Sequence, residues 1–222
     1  MKSSFAICSF LFAITCLAAS RHATGFEFIV FEWPGSYCSA KHGCCYPKTG
    51  KPDKDFTIGG FWPDDLLNSR PTYCNNKTIF RVSQIQDLRK RLDKNWPSLR
   101  CPSRNSQSLW RHEWLKYGTC SDYTQRQYFE TALKIKENVD ILKILQNAGI
   151  EPNGNFYTYG AIYDAIQEAM IYMPSLMCNR DKLGNYQLFQ IVMCGESDGR
   201  IHDCPALLPS NCGSNTFRFP SF

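Results

Sequence analysis

Three short apolar runs set the framework of this chain. Residues Phe26 to Phe31, Phe56 to Phe61 and Tyr186 to Met193 are rich in Phe, Ile, Leu and Val, and each reads as a buried strand. Between them, apolar residues recur at helical spacing. Ser83 is positioned to cap a helix carrying Ile85, Leu88 and Leu92, and Thr124 a longer one carrying Phe129, Leu133, Ile141 and Leu145. A third runs from about Tyr159 to Ile171, with Ile162, Ala165, Ile166 and Met170 on one side. Strands separated by helices and loops, without a regular βα alternation, predict an α+β domain. No repeat, low-complexity tract or linker divides residues 26–222, so a single domain is expected there.

The first residues follow another logic. Lys2 precedes an apolar stretch from Phe5 to Ala19 that is too short to span a bilayer, and small residues follow at Ser20, Ala23 and Gly25. This predicts a signal peptide over 1–25. Cleavage fits after Ser20 or Gly25, and Gly25 is preferred because Phe26 opens the first strand. No second apolar stretch approaches about 18 residues, so no membrane anchor is expected. Removing 1–25 takes away Lys2 and Arg21 and leaves 23 basic residues against 20 acidic ones. A net charge of about +3 is a weak attraction for polyanions, far from a dense basic patch.

Cysteine narrows the class further. Ten of the twelve cysteines lie beyond the signal peptide. An even set in a secreted chain predicts five disulfides, with the connectivity open on spacing alone. No paired CxxC motif appears, so neither a metal nor any other cofactor is expected.

Two segments carry the chemistry: Phe56-Thr57-Ile58-Gly59-Gly60-Phe61-Trp62-Pro63-Asp64, and Leu109-Trp110-Arg111-His112-Glu113-Trp114-Leu115-Lys116-Tyr117-Gly118-Thr119-Cys120. Both resemble the signature segments of the ribonuclease T2 family, FTIHGLWPD and FWEHEWxKHGTC. Trp33-Pro34, Cys44-Cys45-Tyr46-Pro47 and all ten cysteines fall in the same register, so the resemblance spans nearly all of residues 26–222. It points to the plant S-like branch rather than the self-incompatibility branch. It implies an antiparallel sheet flanked by helices and the pairing Cys38–Cys44, Cys45–Cys101, Cys74–Cys120, Cys178–Cys212 and Cys194–Cys204.

Cleavage of RNA by transfer to the 2′-hydroxyl needs a base, an acid and positive donors for the charged phosphorane. The resemblance assigns the acid–base histidines to the positions that Gly59 and Tyr117 occupy here. Gly59 has no side chain, and a tyrosine proton, with a reference pKa near ~10, is a poor shuttle. On a helix, His112, Glu113, Lys116 and Tyr117 fall at about 0°, 100°, 40° and 140°, within one half of the surface, with Trp110 and Trp114 on the other. By resemblance His112 and Lys116 contact phosphate, Glu113 supports the transition state, and Trp62 and Asp64 hold a base. Without the resemblance these charges would read as an ordinary solvated face, and Trp62 as core. Glu32 stands where the family usually has Gln and adds a charge that repels phosphate. Leu109 replaces an aromatic residue near the second base site. His42 and His202 fall in loops and read as surface residues. Asn76-Lys77-Thr78 is a glycosylation acceptor.

The expected protein is a monomeric homologue, secreted or vacuolar, that is catalytically inactive, with a storage or stress and defence role. Two alternatives stand beside it. One is a low-activity endoribonuclease acting through a 2′,3′-cyclic phosphate, with Glu113 as base and water or His112 as acid. The other is a module that binds RNA or nucleotides weakly without turnover.

Overall fold

The computed structural model describes residues 26–64, 71–102 and 104–222. The predicted signal peptide and the sequence around Asp65 lie outside them. The described chain is α+β. Its elements are β1 (Phe26–Glu32), α1 (Pro34–Ser39), β2 (Thr57–Asp64), α2 (Arg89–Asn95), α3 (Ser106–Lys116), α4 (Gln125–Asn138), α5 (Ile141–Asn147), β3 (Phe156–Thr158), α6 (Tyr159–Met170), β4 (Ser175–Arg180), β5 (Tyr186–Gly195), β6 (Ile201–His202) and β7 (Thr216–Arg218). They form one sheet ordered β2-β1-β5-β7-β3, with β4 and β6 also paired to β5. All pairings are antiparallel except a short parallel contact of Gln187 with Arg218, so the sheet is mixed rather than purely antiparallel.

The three predicted strands form β1, β2 and β5, the pairs that build the centre of the sheet. Their alternation sets the two faces. Ile29, Phe31, Trp33, Ile58 and Phe61 enter the large core beneath the helices. Phe28, Val30, Val192 and Cys194 form a smaller cluster, with Trp62 packed against it.

The helices needed two corrections. Ser83 does not cap a single helix: Val82–Ile85 is a 3₁₀ turn, and α2 starts only at Arg89. Ile85, Leu88 and Leu92 are nevertheless all buried. Thr124 does cap α4, in a reciprocal capping box with Gln127. The expected long helix stops at Asn138, however, because Asp140 accepts a hydrogen bond from the Lys143 N–H and starts α5, which carries Ile141 and Leu145. Thr158 caps α6, which ends at Met170, and Ile171 is exposed in a left-handed conformation. Strands β3, β4, β6 and β7 and helix α1 were not foreseen.

Five disulfides close the framework: Cys38–Cys44, Cys45–Cys101, Cys74–Cys120, Cys178–Cys212 and Cys194–Cys204. This is the pairing implied by the resemblance. The last residues are held as well. The Trp33 indole is fully buried between Phe56 and Phe219, with ring centroids 5.1 and 5.0 Å away, and donates to the Pro220 carbonyl at 2.8 Å. Trp33 follows β1 as the N-cap residue of α1, and Pro34 opens the helix, where proline's missing N–H costs nothing.

Candidate active site

Two elements bring the two signature segments together. In β2 the register slips: Ile58 pairs with Phe31 and Gly60 with Val30, leaving Gly59 without an opposite residue. This bulge turns the strand between Ile58 and Phe61, which both face the large core. Gly60 lies directly under the Trp62 indole, where a Cβ would collide with the ring.

The second element is α3. Asn105 caps it by accepting from the Gln107 N–H at 3.0 Å. Trp110 is buried and donates to the Trp96 carbonyl at 2.8 Å, while Trp114 is buried against Tyr128. These rings fix the rotation of the helix. The expected face is only partly solvated: His112 is exposed, Lys116 and Tyr117 are half-buried, and Glu113 is 6% exposed. Tyr117 lies just past the helix, its N–H donating to the Glu113 carbonyl at 2.9 Å. Gly118 follows beneath Trp114, again where no Cβ fits.

The two segments meet at Trp62 and Tyr117, whose rings lie 5.6 Å apart and tilted by 41°. Lys116 Nζ sits 4.8 Å from the Tyr117 ring centre. The Tyr117 hydroxyl is the largest influence holding the Lys116 ammonium above its usual pKa. Trp62 is therefore engaged on two sides, by Gly60 and by Tyr117. Asp64 ends β2, and its side chain lies outside the described residues.

Glu32 is the main departure from expectation. An ideal Cβ on Gly59 would lie 3.0 Å from Glu32 Cβ, 3.2 Å from Val30 Cγ1 and 3.3 Å from Glu32 Oε2. The Glu32 side chain thus borders the space that a side chain at position 59 would enter. It accepts a hydrogen bond from Gln190 Nε2 at 2.8 Å, directly across the β1–β5 ladder. Burial pushes its carboxyl up to about 7, against the pull of Gln190 and Arg100. At neutral pH, Glu32 is therefore partly protonated, and the repulsion expected of a fixed negative charge is reduced.

Glu113 is shifted further, to about 8, chiefly by burial and with Glu32 adding to the effect; Lys116, the Trp62 indole and Arg100 oppose it. Among the described residues its Oε2 has no hydrogen-bond partner. At pH 7 it is a carboxylic acid with a proton to give, which does not suit the role of base. His112 is held below its usual value by partial burial and then by Lys116 and Arg100. It is a neutral imidazole at pH 7, able to donate a hydrogen bond but not a positive charge.

Arg100 was missed. It influences Glu32, Glu113 and His112, and it donates a hydrogen bond that, with its charge, moderates the raised pKa of Tyr37. Its only sequence signal is a position beside Cys101, which joins Cys45. Arg100 also lines a cleft of about 410 Å³ with Ser98, Asn105, Ser108, Leu109 and His112. Leu109 thus supplies an apolar wall there. His42 is exposed, edge-on to Tyr37 at 5.3 Å, at the margin of the Glu32 environment. His202 is in β6, not a loop. Asn76 is exposed in a turn. Among the described residues, no group of three or more His, Cys, Asp or Glu side chains is placed to hold a metal ion, and no helix is long and apolar enough to cross a membrane.

The described residues thus bring carboxyl, imidazole, ammonium and guanidinium groups beside the Trp62–Tyr117 pair in a disulfide-rich α+β domain. The chain belongs to the Ribonuclease T2 family, whose pattern it matches over residues 24–204. It is 41% identical to extracellular ribonuclease LE of Solanum lycopersicum, across 100% of this chain and 99% of that protein. It is 30% identical to a ribonuclease-like storage protein of Panax ginseng, across 78% and 72% respectively. Its fold superimposes on RNase NT in complex with 5′-AMP with a TM-score of 0.83 at 40% identity, covering 89% of this chain and 98% of that one. A variant of RNase MC1 in complex with 5′-GMP gives 0.75 at 30% identity, covering 87% and 98%.

Proposed function

We propose that this chain is a secreted or vacuolar ribonuclease T2 homologue in which histidine-driven cleavage of RNA is lost, leaving at most remnant turnover, and whose role is storage or stress defence. One observation carries this reading. Gly59 and Tyr117, at the positions that the resemblance gives to the acid–base histidines, bring no imidazole to the pocket, and Glu32 and Trp62 border the space they leave. The storage name of the Panax ginseng relative supports the role. Five disulfides favour an oxidising compartment, and relatives are named both extracellular and intracellular ribonucleases. The monomer would bind RNA or nucleotides weakly, since Arg100, Lys116 and the His112 N–H remain and related structures hold 5′-AMP and 5′-GMP. No role at a membrane is proposed.

Cleavage of polyuridylate by the purified protein, beside an intact relative, tests this. A positioned acid or base contributes about 10²–10⁴-fold, and two acting as a unit are non-additive, so a deficit of about 10⁴-fold or more is expected. A rate within about tenfold of the relative would overturn the reading.

A second reading has its own support. The buried, protonated Glu113 is a competent general acid, which favours a low-activity endoribonuclease forming a 2′,3′-cyclic phosphate. In that reading Glu113 gives the proton rather than taking it.

A further inference from the structure

We propose that Glu32 is a catalytic residue of this pocket: its carboxylate takes the 2′-proton of bound RNA in the space beside Gly59, and the Glu113 carboxylic acid gives a proton to the departing 5′-oxygen. This rests on the reading that RNA enters the pocket, and it identifies the groups behind any remnant turnover.

The geometry is specific. The bulge leaves Gly59 unpaired, and the first carbon of any side chain there would touch Glu32 Oε2 at 3.3 Å. A carboxyl therefore stands where a group reaching out from position 59 would stand. Gln190 holds it from the neighbouring strand at 2.8 Å, so it is oriented before substrate binds. Glu113 faces the same environment from α3, with Oε2 unpartnered and almost no exposure. Arg100, Lys116 and the His112 N–H supply donors for the charge that builds on the phosphoryl oxygens.

The step balances. The 2′-oxygen gives its proton to Glu32 and forms a bond to phosphorus, while the bond from phosphorus to the 5′-oxygen breaks. The 5′-oxygen takes the proton from Glu113. The products are a 2′,3′-cyclic phosphate and a free 5′-hydroxyl, with Glu32 protonated and Glu113 ionised. Proton exchange with water restores both.

Burial raises both carboxyls into the neutral range, Glu32 to about 7 and Glu113 to about 8, so each changes charge near the pH at which the pocket would work. Arg100 faces both carboxyls; around them Lys116 and Tyr37, both raised above their usual values, keep their charge state over this range, and His112, held below its usual value, is already neutral. Turnover should therefore peak near pH 7–8, falling on the acid side as Glu32 protonates and on the alkaline side as Glu113 ionises.

Polyuridylate cleavage from pH 5 to 9 by wild type, Glu32→Gln, Glu32→Asp and Glu113→Gln decides it, with thermal unfolding and 5′-AMP binding measured on each protein. Glu32→Gln should lower kcat by about 10²-fold or more and remove the acid limb, with 5′-AMP binding kept. Glu32→Asp, which keeps the carboxyl one methylene short, should retain the acid limb at an intermediate rate. A wild-type rate no higher than that of a Glu32→Gln/Glu113→Gln double variant overturns the assignment and leaves the proposed function intact. Cleavage as fast as an intact relative that persists in Glu32→Gln overturns both.

Discussion

The two sides of the pocket are built in opposite ways. On the sheet side a glycine leaves room, and the neighbouring strand fills it: Glu32 lies within contact distance of the Cβ that Gly59 lacks. On the helix side a larger ring takes the position, and Tyr117 rests against Trp62 and under Lys116. On the strand, the bulge that leaves Gly59 unpaired turns it toward Glu32, which is registered with Thr57 two residues away. A replacement at a helix terminus is absorbed locally. The sheet side has therefore acquired a titrating group, and the helix side has acquired packing.

The largest expected effect breaks this asymmetry by placing histidine on both sides. Gly59 is not in the left-handed region, so its backbone accepts a side chain, and the obstacle is Glu32. Contacts of 3.0–3.3 Å require the neighbours to give by a few tenths of an ångström. Glu32 would also pair with an incoming imidazolium and hold its proton. Gly59→His/Tyr117→His should thus recover only part of the lost rate, and adding Glu32→Gln should bring the gain to about 10⁴-fold. Glu32→Gln lowers the rate of the natural protein and raises that of the double variant. Single-turnover cleavage by all four proteins checks this, and the same sign in both backgrounds would refute it.

How much of this was legible in the sequence follows from the kind of interaction involved. The central strands were readable because dense apolar runs report one dominant force, while the disulfide pairing came from the family resemblance and not from the spacing of the cysteines. The edge strands were not. Thr216–Arg218 and Phe156–Thr158 are three residues each and are defined by their partners. The break between α4 and α5 turned on one local competition, Asp140 capping a new helix within a continuing apolar pattern. At the site, sequence spacing placed Glu113 with His112 and Lys116. It could not show that the core rings Trp110 and Trp114 would draw Glu113 out of solvent. Arg100 and the closeness of Glu32 to Gly59 depend on a disulfide and a strand bulge, which bring distant positions together without any local signature.

A smaller effect sharpens the helix side. Glu113 has an ordinary value of 4.5 and is raised to about 8 in the folded protein. The folded state thus holds this proton more tightly than the unfolded chain does. The stability gained is complete below pH 4.5 and is lost as the pH rises through 8. Glu27 and Glu32, both raised to about 7, act in the same direction, so total stability should fall from pH 5 to 9 in the natural protein. Glu113→Gln removes one contribution, on the order of 3 kcal/mol across that range. Urea denaturation at pH 5, 7 and 9 should show the variant gaining on the wild type as pH rises. Parallel pH dependences would mean that Glu113 is not held protonated.

The smallest effect tests whether the pocket binds an anion, as the proposed function requires. Arg100 and Lys116 attract an anion, whereas Glu32 and Glu113, raised by burial to about 7 and about 8, become negative as pH rises and disfavour it. Inorganic phosphate should therefore bind with roughly millimolar affinity, about 4 kcal/mol, and bind several-fold more weakly at pH 8.5 than at pH 6. An NMR titration of the His112 ring resonances reads this directly, since His112 lines the cleft beside Arg100. Glu32→Gln should flatten the pH dependence from the sheet side without abolishing binding, because the cations lie on α3 and beside Cys101. If His112 does not respond at either pH, Tyr117 and Trp62 have closed the site. If it responds equally at both, the carboxyls do not face the anion, and the two sides of the pocket do not act together.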